Sequence, residues 1–264
     1  MERAEILSSI YNDQREETRL TRSRHGQLEY LTTMDYIHKL VPNGSKVLEV
    51  GAGTGRYSIA LAREGYDVTA VELVASNLEV LQRNADGLKN IVSYQGDAVD
   101  LRHFADNSFD AVFVLGPMYH LFEKAEQHRA LDEAIRVAKP HGIIMIAFIS
   151  VYQIMYSHYL SGNFRAGFEE NFDTDFRVKH YKEQGFTGFD IQEFEALFTN
   201  KPVQKIALTG TDSVLELAEQ TPAFCMSDED FKLFADYHLK TCETRELLGN
   251  HSHLLYICKK DCQR

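Results

Sequence analysis

The fold of this chain is decided by the segment Val47-Leu48-Glu49-Val50-Gly51-Ala52-Gly53-Thr54-Gly55-Arg56-Tyr57. A short apolar run leads into three alternating glycines, and a helical pattern follows them. Glycines at such a turn let the backbone bend tightly and approach a ligand, and the amides of a helix N-terminus bind a carboxylate or a phosphate. The segment therefore predicts a strand, a ligand-binding loop and a helix. A dinucleotide fingerprint would need glycine at position 56, so Arg56 disfavours NAD as the ligand.

Short apolar runs around this segment predict five buried strands, at residues 46–50, 67–71, 91–94, 111–115 and 143–149. Helical patterns separate these runs. Ser76 and Glu79 have the spacing of a capping box that opens one helix. An apolar stripe at Leu131, Ala134, Ile135 and Ala138 predicts another helix, which ends at Pro140-His141-Gly142. Regular alternation of strand and helix predicts a doubly wound α/β fold, in which ligands bind beyond the carboxyl ends of the parallel strands.

The flanking segments predict additions to this core, which we place at residues 46–149. Helical spacing within residues 1–45 predicts an N-terminal helical lid. Residues 150–189 are rich in Tyr, Phe, His and Gly without clean periodicity, and they predict an inserted cap. Residues 190–264 predict the remainder of the sheet, with strands at 203–208 and 252–258. Between those strands we expect a helical insertion, in which Ser227 and Asp230 cap a helix.

Composition and charge limit the classes of function. A formal net charge of −11 repels polyanions and disfavours nucleic acid as a partner. A basic stretch interleaved with acids predicts a solvated helix face, and its members are Arg15, Arg19, Arg22, Arg24 and His25. The N-terminus lacks the apolar core of a signal peptide, and no apolar run reaches the roughly 18 to 20 residues of a membrane span. We therefore expect a cytoplasmic protein that does not contact membranes, as a monomer or a homodimer.

Cysteine and histidine spacing gives no support for a metal site. None of the four cysteines belongs to a C-x-x-C pair, and reduced thiols explain them. Cys258 and Cys262 could be combined with His251 and His253 into a metal cluster. However, the two histidines alternate along an apparent strand, and the spacings typical of zinc sites are absent. The sequence therefore predicts no bound metal.

Two acids follow the second and third predicted strands. Glu72 and Leu73 lie about 20 residues beyond the glycines, where an acid can accept both hydroxyl hydrogens of a ribose. Asp97 and Ala98 follow the third strand, where a carboxylate can bind the amino group of adenine. NAD and S-adenosylmethionine both need the first acid. The second acid, in register with the other two elements, favours S-adenosylmethionine.

In this combination the chain resembles the class I S-adenosylmethionine-dependent methyltransferases over roughly residues 46–149. More narrowly, it is similar to a large group of bacterial proteins identified only as class I methyltransferases. Three segments carry that similarity: His25-Gly26-Gln27-Leu28-Glu29-Tyr30-Leu31-Thr32-Thr33, Leu115-Gly116-Pro117-Met118-Tyr119-His120-Leu121 and Tyr237-His238-Leu239-Lys240-Thr241-Cys242-Glu243. The resemblance implies a Rossmann-like methyltransferase sheet of seven strands and S-adenosylmethionine as cofactor. It does not imply a substrate.

The resemblance also implies a set of cofactor-binding residues: Glu49, Gly51, Ala52, Gly53, Gly55, Glu72, Leu73, Asp97, Ala98, Leu115 and Gly116. In such enzymes the glycines line the methionine part, and the acid at position 49 steadies its ammonium group. Glu72 would bind the ribose, and Asp97 with Ala98 would bind adenine. Leu115 and Gly116 would pass close to the reactive methyl group.

The segment after the fourth strand narrows the reaction. Gly116 offers no side-chain acceptor, which disfavours transfer to adenine or glutamine amides. Because displacement at a sulfonium needs alignment more than covalent help, a base is required only for a protonated acceptor. His120 is the candidate general base, since an imidazole titrates near neutral pH, and packing at a helix start is its alternative role. Tyr11, Tyr30 and Tyr119 are candidate substrate contacts.

These observations favour an enzyme that transfers a methyl group to a small molecule by in-line displacement. Two alternatives stay open from the sequence. One is a methyltransferase that acts on RNA or protein, and the other is a non-catalytic module that binds S-adenosylmethionine without turnover.

Overall fold

A computed structural model describes residues 3–11, 15–180 and 185–262. One sheet of seven strands runs through them, in the order β3-β2-β1-β4-β5-β7-β6. The strands are β1 (Lys46–Val50), β2 (Asp67–Glu72), β3 (Ile91–Gln95), β4 (Phe109–Val114), β5 (Ala138–Ile149), β6 (Val203–Gly210) and β7 (His253–Lys260). Strands β1 to β5 are parallel, and β7 is antiparallel to both of its neighbours.

Helices connect the strands and cover the sheet. They are α1 (Arg3–Ile10), α2 (Arg15–Thr18), α3 (Arg24–Leu40), α4 (Arg56–Arg63), α5 (Ala75–Asn84), α6 (Lys124–Val137), α7 (Val151–Ile154), α8 (Phe164–Asn171), α9 (Ile191–Ala196), α10 (Leu215–Glu219), α11 (Asp228–Thr241) and α12 (Arg245–Leu248). A 3₁₀ turn spans Pro117–His120, and a π-helical turn spans Met155–Tyr159. No described helix has the length and apolar character needed to cross a membrane.

Strand β1 shows why its sequence lacks polar alternation. Leu48 and Val50 pack into a core shared with α6, whereas Val47 packs into a second core with residues of α3 and α4. A strand covered by helices on both faces buries side chains on both sides, so β1 is mostly apolar, with Lys46 exposed at its start and Glu49 as its one buried acid. The predicted doubly wound α/β sheet is confirmed.

The predicted start of α5 is wrong. The helix begins at Ala75, one residue before Ser76, and it has no side-chain cap. The carboxylate of Glu72 instead accepts a hydrogen bond from the backbone amide of Val74 at 2.8 Å. The acid at the end of β2 therefore fixes the entry into α5, and Glu79 lies exposed on the helix surface.

The predicted boundary between α6 and β5 is also wrong. Helix α6 ends at Val137, and β5 begins directly with Ala138, so Pro140-His141-Gly142 lies within the strand. His141 has a φ of 64°, and the register between β4 and β5 shifts near this point. The turn residues bend the strand without ending it. The prediction for α11 is confirmed, because Ser227 accepts from the amide of Asp230 at the helix start.

Additional elements lie on either side of the parallel strands. Helices α1 to α3 precede β1, and α7, the π-helical turn and α8 follow β5. The chain returns to the sheet beside Ile149, whose carbonyl accepts from the amide of Phe189 at 2.8 Å. The division into a lid at 1–45, a core at 46–149, a cap at 150–189 and a remainder at 190–264 stays a prediction.

Candidate active site

A cleft of about 930 Å³ opens beyond the carboxyl ends of β1, β2, β3 and β4. Ten of the predicted cofactor-binding residues line it: Glu49, Gly51, Ala52, Gly53, Glu72, Leu73, Asp97, Ala98, Leu115 and Gly116. Gly55 lies outside this lining and precedes α4, where a Cβ would come within 2.8 Å of Leu81 Cγ.

The loop after β1 depends on its glycines. Gly51, Gly53 and Gly55 have φ values of 77°, 55° and 88°, a left-handed region that side chains disfavour. A Cβ on Gly51 would lie 2.6 Å from Cδ of Pro117. The loop after β1 therefore touches the turn after β4, and this contact forms one wall of the cleft.

Glu72 ends β2 and is 6% exposed. One carboxylate oxygen accepts from the amide of Gly53 at 2.7 Å, and the other accepts from Val74 at 2.8 Å. A carboxylate oxygen can accept more than one hydrogen bond, so these contacts do not exclude a further one from a ribose hydroxyl. Glu72 thus orders the glycine loop and also offers the acceptors that a ribose needs.

Glu49 lies beneath the glycine loop and is 2% exposed. Burial raises its pKa to about 8, although the hydroxyl of Ser58 donates to its carboxylate and opposes that shift. A neighbouring positive charge favours the ionised form of a buried carboxyl. The ammonium group of S-adenosylmethionine is such a charge.

The donor and acceptor set of the cleft fits S-adenosylmethionine. Glu49, Glu72 and Asp97 bring three carboxyl groups to one cavity, for an ammonium, two ribose hydroxyls and an adenine amino group. Asp97 is partly ordered by the amide of Val99, which donates to it at 3.2 Å. Because Gly51 has no side chain, a ligand in the cleft would meet the backbone of the glycine loop at that position.

His120 lies at the other end of the cleft and is 5% exposed. Its Nδ1 lies 2.8 Å from the carbonyl oxygen of Gly185, and its Nε2 lies 2.7 Å from the hydroxyl of Tyr11. A carbonyl can only accept, so Nδ1 carries a hydrogen, and in the neutral ring Nε2 accepts from Tyr11. The predicted base therefore has a fixed tautomer and contacts two segments distant in sequence.

The three candidate substrate tyrosines separate into two groups. Tyr11 and Tyr119 line the cleft, and the hydroxyl of Tyr119 donates to the carbonyl of Leu115 at 3.2 Å. Tyr30 lies outside the lining, with its ring stacked on Tyr57 at 5.3 Å between centroids. The structure thus brings two of the three to the predicted site.

A second cavity, of about 1020 Å³, lies behind the ring of Tyr119. Its lining comes from the end of β5, the segment after it, α10 and the start of β7: Ile149, Gln153, Ile154, His158, Tyr159, Glu170, Asn171, Phe186, Glu216, Ser252 and His253. Ring centroids of Phe186 and His253 lie 6.1 and 6.3 Å from that of Tyr119. These aromatic rings therefore lie at the boundary between the two cavities.

A buried ionic cluster borders both cavities. Arg19 lines the cleft and donates to both carboxylate oxygens of Glu29, at 2.7 and 3.0 Å. His253 Nδ1 lies 2.7 Å from Asp212 and 3.8 Å from Glu29. The interpretation of Arg19 as part of a solvated face is therefore wrong, because a buried carboxylate pairs with it.

The charges of this cluster follow from its contacts. Burial alone would lower the pKa of His253, but Glu29 and Asp212 raise it to about 9. Burial alone would raise the pKa of Asp212, but His251 and His253 hold it well below its usual range. Asp212 is fully buried, and the backbone amides of Ser252 and His253 each donate to it at 3.0 Å. His253 is therefore a buried cation at neutral pH.

Sequence reasoning missed Asp212 and assigned His251 and His253 to one alternating strand. Strand β7 begins at His253, and His251 precedes it. The amide of Ser213 donates to His251 Nδ1 at 2.8 Å, and the same nitrogen lies 3.7 Å from a carboxylate oxygen of Asp212. Among residues 3–11, 15–180 and 185–262, no group of three His, Cys, Asp or Glu side chains could bind a metal.

Two segments of the family-like pattern outside the core contact neighbouring elements. His25 at the start of the first contacts Glu219, and Arg24 directly before it donates to Asp228 at 2.6 Å. The third segment meets α3 where Tyr36 donates to Glu243 at 2.5 Å. These pairs attach α3 to α10 and α11, and they lie away from the lining of the cleft.

In a comparison with known protein families, residues 48–146 match the family described as "Methyltransferase domain". The resemblance to class I S-adenosylmethionine-dependent methyltransferases is confirmed, and with it the expected cofactor of this methyltransferase domain. The matched residues contain most of β1, all of β2 to β4, most of β5 and the glycine loop.

Curated relatives match this methyltransferase domain over part of their length. Demethylmenaquinone methyltransferase of Clavibacter sepedonicus is 39% identical over 107 residues, which are 40% of this chain and 42% of that protein. Glycine/sarcosine N-methyltransferase of Parasynechococcus marenigrum is 34% identical over 114 residues, which are 42% of this chain and 40% of that protein. The chain thus spans less than half the length of these relatives.

Solved structures share the fold over more of the chain. The PH0226 protein of Pyrococcus horikoshii OT3 has a TM-score of 0.62 and 17% identity, and the match covers 96% of this chain and 99% of that one. An S-adenosylmethionine-dependent methyltransferase of Mesorhizobium loti has a TM-score of 0.54 and 13% identity, with 87% and 98% covered. These likenesses concern the fold alone.

Proposed function

We propose that this protein transfers the methyl group of S-adenosylmethionine to a small-molecule acceptor. The observation that carries the proposal is the pair of adjacent cavities. The cleft holds hydrogen-bond acceptors that suit the cofactor. A second cavity of about 1020 Å³ lies beside it, at the rings of Tyr119, Phe186 and His253. The names of two curated relatives, a demethylmenaquinone and a glycine/sarcosine methyltransferase, support an acceptor of small size. The net charge of −11 argues against RNA.

S-adenosylmethionine supplies a methyl group on a positively charged sulfur, which a nucleophile displaces in line. The protein has to align the acceptor with that methyl and exclude water. Gly51, Gly53 and Glu72 would bind and orient the cofactor through backbone and carboxylate contacts. Leu115 and Gly116 line the same cleft and precede Tyr119 by a few residues in the sequence. The rings of Tyr119 and Phe186 would exclude water from the space between the cavities.

An acceptor that arrives protonated also needs a proton acceptor. The hydroxyl of Tyr11 donates to His120 Nε2, and Gly185 accepts from Nδ1. The acceptor can pass its proton to the Tyr11 oxygen while Tyr11 passes its own proton to Nε2. Gly185 then stabilises the resulting imidazolium through the Nδ1 hydrogen bond. Both hydrogen bonds are already formed in the folded chain, so this relay needs no rearrangement of His120.

The test combines binding with a search for the labelled product. Calorimetry should show binding of S-adenosylhomocysteine and no binding of NAD. Radiolabelled S-adenosylmethionine should then deliver label to a small-molecule extract. Label in RNA or protein fractions would reject the proposed acceptor class. Cofactor binding without label in any fraction would instead indicate a non-catalytic module, and failure to bind adenosylhomocysteine would reject the cofactor site.

A further inference from the structure

Two charged side chains in the lining of the second cavity, His253 and Glu216, each have an atom with no recorded partner among the described residues. Among the described residues, the structure records no hydrogen-bond or ion-pair partner for Nε2 of His253 or for the carboxylate of Glu216. The other ionisable lining groups differ. Glu170 accepts from the hydroxyl of Tyr159 at 2.5 Å, and His158 is exposed. One cationic and one anionic group therefore have unused binding capacity.

The orientation of His253 is set by its partners outside the cavity. Nδ1 donates to Asp212 at 2.7 Å, and the backbone amide of His253 donates to the same carboxylate at 3.0 Å. Asp212 is fully buried and receives another hydrogen bond from Ser252, so it cannot follow the ring into a new position. With Nδ1 fixed, Nε2–H is the remaining donor of a residue that lines the cavity. A cationic donor is best matched by an anionic oxygen.

Glu216 offers the opposite charge. It lies in α10, close in sequence to Asp212, which fixes His253. A partly buried carboxylate without a partner is most stable beside a cation. A ligand with only an anionic group would meet the repulsion of Glu216 and Glu170. A ligand with only a cationic group would meet the repulsion of His253.

We propose that the second cavity binds a zwitterionic methyl acceptor, whose anionic oxygen accepts from His253 Nε2 and whose cationic nitrogen pairs with Glu216. This inference rests on the proposed function, because it assigns the acceptor of that reaction. Ile149, Ile154 and Phe186 form an apolar part of the lining, which suits a carbon skeleton between the two charges. The geometry thus points to an amino-acid-like acceptor with an apolar or aromatic body.

Three probes share one skeleton and differ in charge. L-tyrosine carries both charges, tyramine carries the ammonium alone, and 3-(4-hydroxyphenyl)propionate carries the carboxylate alone. Binding is measured by calorimetry on the full chain saturated with S-adenosylhomocysteine, so turnover is not required. We expect L-tyrosine to bind roughly 10- to 100-fold more tightly than either analogue, as expected for one charge-assisted hydrogen bond.

Two variants assign the charges to residues. His253→Gln should weaken binding of L-tyrosine and the propionate roughly tenfold or more, and it should not weaken binding of tyramine, because it removes a like charge. Glu216→Gln should weaken binding of L-tyrosine and tyramine, and it should not weaken binding of the propionate, for the same reason. His103→Gln and Glu246→Gln are matched controls, since both side chains are exposed and lie outside the two cavities. If His253→Gln does not fold, the three probes and Glu216→Gln still decide the question.

The outcomes separate this inference from the proposed function. Equal affinity for the three probes, or binding of none of them at millimolar concentration, would overturn the zwitterionic acceptor while adenosylhomocysteine still binds. Loss of all three probes to the same extent in either variant would also overturn it, because it would indicate a structural role. Failure of adenosylhomocysteine to bind would reject the proposed function itself.

Discussion

The backbone amide of Gly53 donates to the carboxylate of Glu72 at 2.7 Å, and this bond joins the loop after β1 to the end of β2. The same carboxylate accepts from Val74 at the start of α5. One side chain therefore fixes two turns that together form the floor of the cofactor cleft. Its predicted contact with ribose would be made by the same carboxylate.

We expect Glu72→Ala to weaken S-adenosylhomocysteine binding far more than Glu79→Ala does. Glu72 offers charged hydrogen bonds, each worth roughly 1.5–3 kcal/mol, whereas Glu79 is exposed and makes no cap. Calorimetry measures both affinities, and circular dichroism checks that both variants are folded. Equal affinities in the two variants would remove Glu72 from the cofactor site.

We expect His120→Gln to lower turnover by roughly 10²- to 10⁴-fold with little change in cofactor affinity, because a general base acts on the acceptor. Tyr11→Phe should lower turnover as well, since it removes the hydroxyl that lies between the acceptor and Nε2. His103→Gln is the matched control, because His103 is exposed and lies outside both cavities. Turnover per folded molecule that is unchanged in both Tyr11→Phe and His120→Gln would leave alignment as the catalytic device.

Cofactor binding should release a proton from Glu49. The pKa of this buried carboxyl is raised to about 8, so it is largely protonated at pH 6.5. The ammonium group of the ligand should lower that pKa and expel the proton. Calorimetry of adenosylhomocysteine at pH 6.5 in buffers of different ionisation enthalpy measures the release, and Glu49→Gln should abolish it. A heat that does not depend on the buffer would contradict the assigned contact.

Glu49 should also make the ligand-free protein less stable as the pH rises. Its pKa is raised from 4.5 to about 8 by folding, so its contribution is complete below about pH 4.5 and is lost as pH rises through 8. His253 adds a loss of the same sign near pH 9, its raised value. Denaturant unfolding between pH 5 and 9 should show a smaller decline for Glu49→Gln than for the wild type.

Asp212→Asn should destabilise the fold by roughly 3–5 kcal/mol at pH 7, because it leaves the buried His253 cation with one distant carboxylate. Asp236→Asn is a matched control, since Asp236 is exposed on α11. Urea unfolding of the three proteins gives the comparison. A change below 1 kcal/mol for Asp212→Asn would mean that His253 is neutral in the folded chain.

The cofactor side of the site could be predicted from sequence because parallel strands fix it. Glu72, Asp97 and Leu115 each follow or end a buried strand, and the carboxyl ends of such strands meet at one edge of the sheet. Helix packing does not alter that placement. Errors were confined to boundaries, as at Ser76, where the bond from Val74 to Glu72 replaced the predicted cap.

The acceptor side could not be predicted in the same way. Tyr11 and His120 are 109 positions apart, and no periodicity relates them. The cluster of Arg19, Glu29 and His253 with Asp212 draws on three distant segments that meet through tertiary packing. The sequence does show Glu29 in the first family-like segment and the pair His251 and His253. Neither pattern indicates which residue the side chain contacts in the folded chain.

Ribosomes make β6 before its neighbour β7, although β7 lies between β5 and β6 in the sheet. In a nascent chain, β6 therefore stays an unpaired edge until residues 253–260 have emerged, and such edges recruit other chains. His253 begins β7, so the second cavity gains its cation in the same step.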